Sequence, residues 1–169
     1  MKPNQALYAV SEACGSTPGK DHHPPIIAID PGATGSIAFT IHDPPFIACI
    51  PMPKGMTNQL DILLSMTPAT TYIENVGGYM PGNSGPASVK FARHIGNIEA
   101  ALYILKFPTI KVSPSSWMRT LGKFSKDKMS RKREIKDLMA RQYPFIKVTL
   151  TNADALGILT YAKNAQNRR

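Results

Sequence analysis

The sequence predicts an α/β domain in which a mixed sheet is covered by helices on both faces. Three observations carry this. The first ordered stretch holds three short apolar, β-branched runs separated by tight turns. The later half alternates strand-like runs with segments of helical periodicity. No internal repeat is present. Consecutive short strands favour an antiparallel meander, and strands that alternate with helices add parallel neighbours to the same sheet.

The elements follow in order. Residues 1–25 mix Gly, Ser, Pro and His without periodicity, ending in Pro24-Pro25, and read as a flexible N-terminal extension. The domain, 26–169, starts at Ile26. Ile26–Ile29 is an apolar strand run closed by the turn Asp30-Pro31-Gly32. Ser36–Ile41 reads as a second strand and Pro45–Ile50 as a third, with a short helix over Asn58–Leu64. Thr70–Glu74 is β-branched and reads as a buried strand. Gly77–Gly85 carries four glycines and Pro81 and reads as a loop.

From Pro86 the apolar residues Val89, Ala92, Ile95, Ile98, Ala101, Leu102 and Leu105 recur at spacings of three and four, a helical stripe. Thr109–Val112 is the fifth strand, and Ser113 or Ser115 caps a short helix around Trp117. Trp117 itself reads as a core residue rather than a stacking platform. Lys123–Met129 reads as a polar loop, Ser130 as the N-cap of a helix reaching Tyr143, and Lys147–Leu150 as extended. Ala153–Ala165 is the final helix.

Composition narrows the function classes. The chain has 169 residues, 43% of them hydrophobic, enough for one domain with a real core. No apolar run reaches the roughly eighteen residues of a membrane helix. The start lacks a signal-peptide layout, so an intracellular protein is expected. Cys14 and Cys49 stand alone and read as reduced thiols. His22-His23 reads as an incidental pair more readily than as a metal site.

Net charge is +9, and the bases are unevenly spread: three lie in residues 1–84 and seventeen in residues 85–169. Arg119–Arg141 holds nine of them against three acids. Such a distribution points to a polyanionic partner, since each neutralised phosphate releases counterions. A solvated Lys-rich helix face is the plainer alternative.

Three acids occupy positions that demand explanation. Asp30 and Glu74 each end an apolar strand, and Asp154 lies in the first turn of the last helix. A carboxylate at the end of a buried strand is costly unless its charge is balanced. A hard divalent cation balances it through oxygen ligands. Acids on three separate elements form the skeleton of a two-metal phosphodiesterase site. Each also has an ordinary role open to it: an Asx turn at Asp30, a core ion pair at Glu74, a helix-dipole acid at Asp154.

With these residues in view, the chain resembles the RuvC-like Holliday junction resolvases. Ile-Ala-Ile-Asp30-Pro-Gly-Ala-Thr-Gly is similar to their opening strand, and Tyr72-Ile73-Glu74-Asn75-Val76 to the strand ending in their second acid. Ala153-Asp154-Ala155-Leu156-Gly157-Ile158 is similar to the helix bearing their last acid. Phe91–Gly96 and Val112–Trp117 also fit phage-type members. The resemblance spans about residues 26–165 and rests on the ordered set.

It implies an RNase H-like fold, a five-stranded mixed sheet with strands 1–3 as an antiparallel meander, flanked by helices. It implies Mg²⁺ or Mn²⁺, probably as two ions, and a four-way DNA junction as substrate, cut by symmetric paired nicks. Asp30, Glu74 and Asp154 become the catalytic and metal-binding acids. Lys128, ahead of the helix begun at Ser130, becomes the basic residue assisting at the scissile phosphate, with Lys123 second and an ordinary backbone-phosphate contact the alternative for either. Lys123, Lys126, Lys128, Arg131, Lys132 and Arg133 become DNA contacts, together with Tyr79 and Met80 in the glycine-rich loop. A homodimer is implied, since two symmetric cuts need two sites. The helix Pro86–Leu105, with Gly96 permitting close approach, is the expected contact.

The sequence departs from the family in one respect. A fourth carboxylate expected three or four residues before the last acid is replaced by Thr151 and Leu150, leaving Asn152 as a weak neutral ligand. That leaves a weakened second metal site, or a junction-binding protein that does not cut, as alternatives. An RNase H-type or ribosomal-RNA-processing nuclease of the same fold is another. Asp30-Pro-Gly-Ala-Thr-Gly also resembles the phosphate loop of actin-like ATPases. Those need two such domains, and this chain has room for one.

Overall fold

The computed structural model describes residues 25–41, 46–66, 69–77 and 84–167. The N-terminal extension, His22-His23, Cys14 and the loop tip with Tyr79 and Met80 lie outside the described residues.

Five strands form one sheet: β1 (Ile26–Asp30), β2 (Ser36–Ile41), β3 (Phe46–Pro51), β4 (Thr70–Glu74) and β5 (Thr109–Val112), in the order β3-β2-β1-β4-β5. β1 pairs antiparallel with β2, and β2 with β3, so the expected meander is present. On its other side β1 runs parallel to β4, which runs parallel to β5. The third strand is Phe46–Pro51 rather than Pro45–Ile50, a one-residue shift at its boundary.

The central strand explains why β1 reads as continuously apolar. Period-two alternation sends Ile26 and Ala28 into one core and Ile27 and Ile29 into another. Helices α1 (Met56–Leu64) and α2 (Gly85–Ile104) cover the second face, through Ile62, Leu63, Ile98, Ala101 and Leu102. Helices α3 (Pro114–Leu121), α4 (Lys128–Gln142) and α5 (Ala153–Gln166) cover the first.

α5 is buried along most of its length because it lies across β1, β2 and β4 and against α3 and α4. Small residues make this possible: Ala28 and Ala38 on the sheet meet Ala153, Ala155 and Ala162 on the helix, so the two backbones approach closely. α4 and α5 run in parallel. Lys132 meets Asp154 near one end, and Tyr143 bonds Thr160 at 2.7 Å near the other.

Capping fixes where the helices begin. Ser84 accepts from Ala87 N at the start of α2, and Ser113 accepts from Ser116 N at the start of α3. The sequence expectation fails at α4. Its N-cap is Asp127, whose Oδ2 accepts from Ser130 N at 2.8 Å, so Ser130 is inside the helix and Lys128 is its first residue. The Asp127 carboxylate also meets the positive end of the helix dipole, which favours an anion there. Lys147–Leu150 forms no strand. Thr149 N donates to Asn152 Oδ1 at 2.7 Å, which builds a turn into α5 instead. On α2, Ile95, Ile98, Ala101 and Leu102 are buried, whereas Val89 is 60% exposed, so the first turns project past the core.

The turn between β1 and β2 is closely packed. Gly35 N donates to Gly32 O at 2.8 Å. A Cβ on Gly35 would fall 2.2 Å from Asp30 O and 2.9 Å from its Cγ. Backbone cannot yield to such an overlap cheaply, so Gly35→Ala is expected to destabilise the fold by about 2 kcal/mol or more. Urea unfolding checks this, and an unchanged midpoint would contradict the packing described.

Candidate active site

Topology brings the acids to one end of the sheet. Ile29 pairs with Ile73 in parallel register, so the next residues, Asp30 and Glu74, end adjacent strands side by side. Neighbouring strands lie roughly 4.8 Å apart. Alternation puts Asp30 on the face of Ala28 and Glu74 on the face of Tyr72, both in the core covered by α3 to α5. Asp154, in the first turn of α5, reaches the same face because α5 crosses β1 and β4.

Each carboxylate has a definite anchor. Asp30 Oδ1 accepts from Gly32 N at 3.2 Å, so the Asx turn allowed for in the sequence exists and occupies one oxygen. Glu74 Oε1 accepts from Trp117 Nε1 at 2.8 Å. Among the described residues no Lys or Arg forms an ion pair with it of the kind the ion-pair alternative supposed. Asp154 Oδ2 lies 3.9 Å from Lys132 Nζ, beyond hydrogen-bonding distance, with both side chains partly exposed.

The electrostatics follow from burial and mutual repulsion. Burial pushes Asp30 up to about 6, against the lowering effect of its Gly32 hydrogen bond, and the nearby Asp154 raises it further. Burial likewise pushes Glu74 up to about 7, with Asp30 and Asp154 adding to it and the Trp117 bond opposing it. Asp154 is raised by burial and held back by Lys132 and Arg131. Asp30 and Glu74 therefore both feel Asp154, and Glu74 feels Asp30 as well. Burial also pushes the Cys49 thiol up to about 11, which leaves it an unreactive neutral group.

Among the described residues, the three partly buried carboxylates outnumber the two bases that act on them, Lys132 and Arg131. The carboxylate donors are all hard oxygens, the chemistry that suits Mg²⁺ or Mn²⁺. Among the described residues, no three His, Cys, Asp or Glu side chains already surround a single metal position. The donor type and the mutual repulsion fit a divalent cation.

The basic residues divide differently from the sequence expectation. Lys132, expected only as a DNA contact, is the lysine that acts on Asp30, Glu74 and Asp154. Lys128 sits one turn earlier on the same helical stripe and is exposed. The signal was in the sequence: Lys132 precedes the buried Ile135 and Met139 by three and seven residues, so it shares their stripe. Arg131 donates to Lys126 O at 3.2 Å, clamping the loop before α4. Lys123, Lys126 and Arg133 are exposed.

Asn152 is corrected as a metal ligand. Its Oδ1 accepts from Thr149 N and its Nδ2 donates to Lys147 O at 3.1 Å, so its amide holds the turn. Thr151, where the fourth acid was expected, bonds Thr149 Oγ1 through its hydroxyl and Ser36 Oγ through its carbonyl.

The fold is RNase H-like, and comparison with solved structures agrees. The chain is similar to RuvC of Thermus thermophilus, with a TM-score of 0.55 and 16% identity over 84% of this chain and 97% of that one. It is similar in the same measure to T. thermophilus RuvC in complex with Holliday junction substrate, with a TM-score of 0.55 and 17% identity over 86% and 96% of the two chains. No family sequence model matches the chain, and no curated protein matches it in sequence.

A raised carboxylate makes ionisation costly to the fold. The cost is absent below the ordinary values of 3.8 for Asp30 and 4.5 for Glu74. It grows as pH rises toward about 6 and about 7, and is complete above. In EDTA at pH 8, Asp30→Asn is therefore expected to be more stable than wild type by about 1–3 kcal/mol. The difference should shrink toward pH 4 and reverse when Mg²⁺ is added. Urea unfolding at the two pH values measures it, and a variant less stable than wild type in EDTA at pH 8 would contradict the repulsion.

Proposed function

We propose that this chain is a metal-dependent endonuclease acting on branched DNA, a resolvase of four-way junctions. The observation that carries the reading is the gathering of Asp30, Glu74 and Asp154 at one sheet end. The fold is shared with a protein solved on a Holliday junction.

Asp30, Glu74 and Asp154 would hold Mg²⁺ or Mn²⁺. Bound there, divalent cations supply the Lewis acidity that activates a water and stabilises the leaving oxygen of an in-line displacement. Lys132, beside Asp154, would meet a non-bridging oxygen of the scissile phosphate and take up its developing charge. Lys128 and Arg131 extend that positive face along α4, with Lys123, Lys126 and Arg133 as further backbone contacts that bind without reading sequence. Tyr79 and Met80 follow Glu74 closely enough in the chain to approach the junction centre.

With Thr151 at the position of the missing acid and the Asn152 amide committed to a turn, the second cation would be held weakly. Paired symmetric nicks require a second copy. The outer face of α2 supports one, with Val89, Tyr103 and Ile104 at least 60% exposed and open space at Gly96. Among the described residues no helix is long and apolar enough to cross a membrane. The proposed activity places the protein inside a cell, with DNA.

Cleavage of a four-way junction, a flap and an RNA–DNA hybrid, compared side by side in Mg²⁺ and Mn²⁺, tests the reading. The junction should be cut preferentially. Asp30→Asn and Glu74→Gln should each lose about a hundredfold or more of cutting while retaining junction binding. Lys132→Ala should cost more activity than Lys128→Ala. Preference for the hybrid would move the substrate to RNA. Tight junction binding in Ca²⁺ with no cutting in either catalytic metal would leave a binding protein rather than a nuclease.

A further inference from the structure

Trp117 is the sole tryptophan of the chain, and it is 2% exposed. Its indole lies between two elements that carry acids. Nε1 donates to Glu74 Oε1 at 2.8 Å at the end of β4. The opposite edge of the ring rests on α5 at Gly157, three residues beyond Asp154. A Cβ on Gly157 would stand 2.7 Å from Trp117 Cζ3 and 3.1 Å from Cε3, so glycine is what lets the indole sit there.

We infer that Trp117 is a positioning residue for Glu74: wedged against α5 at Gly157, its N–H fixes one carboxylate oxygen and leaves Oε2 to ligate the cation. The physical case rests on what kind of donor an indole is. It donates one hydrogen bond, accepts none, and carries no charge at any working pH. A lysine or arginine in its place would hold Glu74 as an ion pair and compete with a divalent cation for the same oxygen. An indole N–H orients the carboxylate without that competition. Its rigid ring also ties the position of Glu74 to the helix that carries Asp154, so the two acids are placed relative to one another. Donors behind metal ligands are worth roughly ten- to a hundredfold in metal affinity.

This inference rests on the proposed metal site, and the test separates the two. Mg²⁺ is titrated into the metal-free protein and followed by calorimetry and by the emission of Trp117. Emission should change along the same saturation curve as the heat. Trp117→Phe keeps an aromatic ring but removes the N–H, and should weaken Mg²⁺ about tenfold while still melting cooperatively. Gly157→Ala, which pushes the indole off its seat without touching an acid, should weaken Mg²⁺ as well. Wild-type affinity in a folded Trp117→Phe protein would overturn the inference and leave the metal site standing. If that variant does not fold, the wild-type emission decides: saturable heat with unchanged emission overturns it too. Absence of any saturable Mg²⁺ binding to wild type would remove the metal site and this inference together.

Discussion

The structure is organised around a repulsion it does not relieve by itself. Two parallel strands, β1 and β4, end side by side in carboxylates that point into the same core, and a buried helix brings a third to meet them. Burial in a medium of low dielectric penalises each charge, and proximity penalises them jointly. Nothing in the packing requires acids at these ends. An amide at 30 or 74 could accept the same hydrogen bonds without the charge in the absence of a cation. On the proposed reading, a divalent cation bound among the acids would offset that cost.

Much of the surrounding architecture serves to hold that arrangement in place. Ala28 and Ala38 let α5 settle on the sheet, which brings Asp154 within reach. Gly35 leaves room for the backbone and carboxyl of Asp30, and Gly32 N fixes one of its oxygens. Gly157 admits Trp117, which fixes one oxygen of Glu74. In the last two cases a small residue creates space, and a neutral N–H orients an anion. Lys132 stays 3.9 Å from Asp154 and partly exposed, and with Arg131 tempers the charge without neutralising it.

The sequence revealed the fold and the acids better than the details that tune them. Apolar runs ending in Asp30 and Glu74 are a local pattern, and β1 betrays its two-sided burial by being apolar at every position before Asp30. Local pattern misled at α4, where Ser130 and Asp127 are both acceptable caps and geometry chose Asp127. That choice moved Lys128 into the helix and gave the place beside Asp154 to Lys132. Asn152 looked like a ligand because it neighbours Asp154, yet a turn that no periodicity announces consumes its amide. Trp117 was legible as core, but the aim of its N–H depends on β4 and α5, more than thirty residues away on either side.

The account stands on the three acids sharing one cation. Anomalous diffraction from crystals grown with Mn²⁺ tests this most directly. A manganese peak bonded to oxygens of Asp30, Glu74 and Asp154 is the expected result. A peak elsewhere, or fully occupied crystals in which Lys132 closes on Asp154 and no manganese lies among the acids, would contradict it.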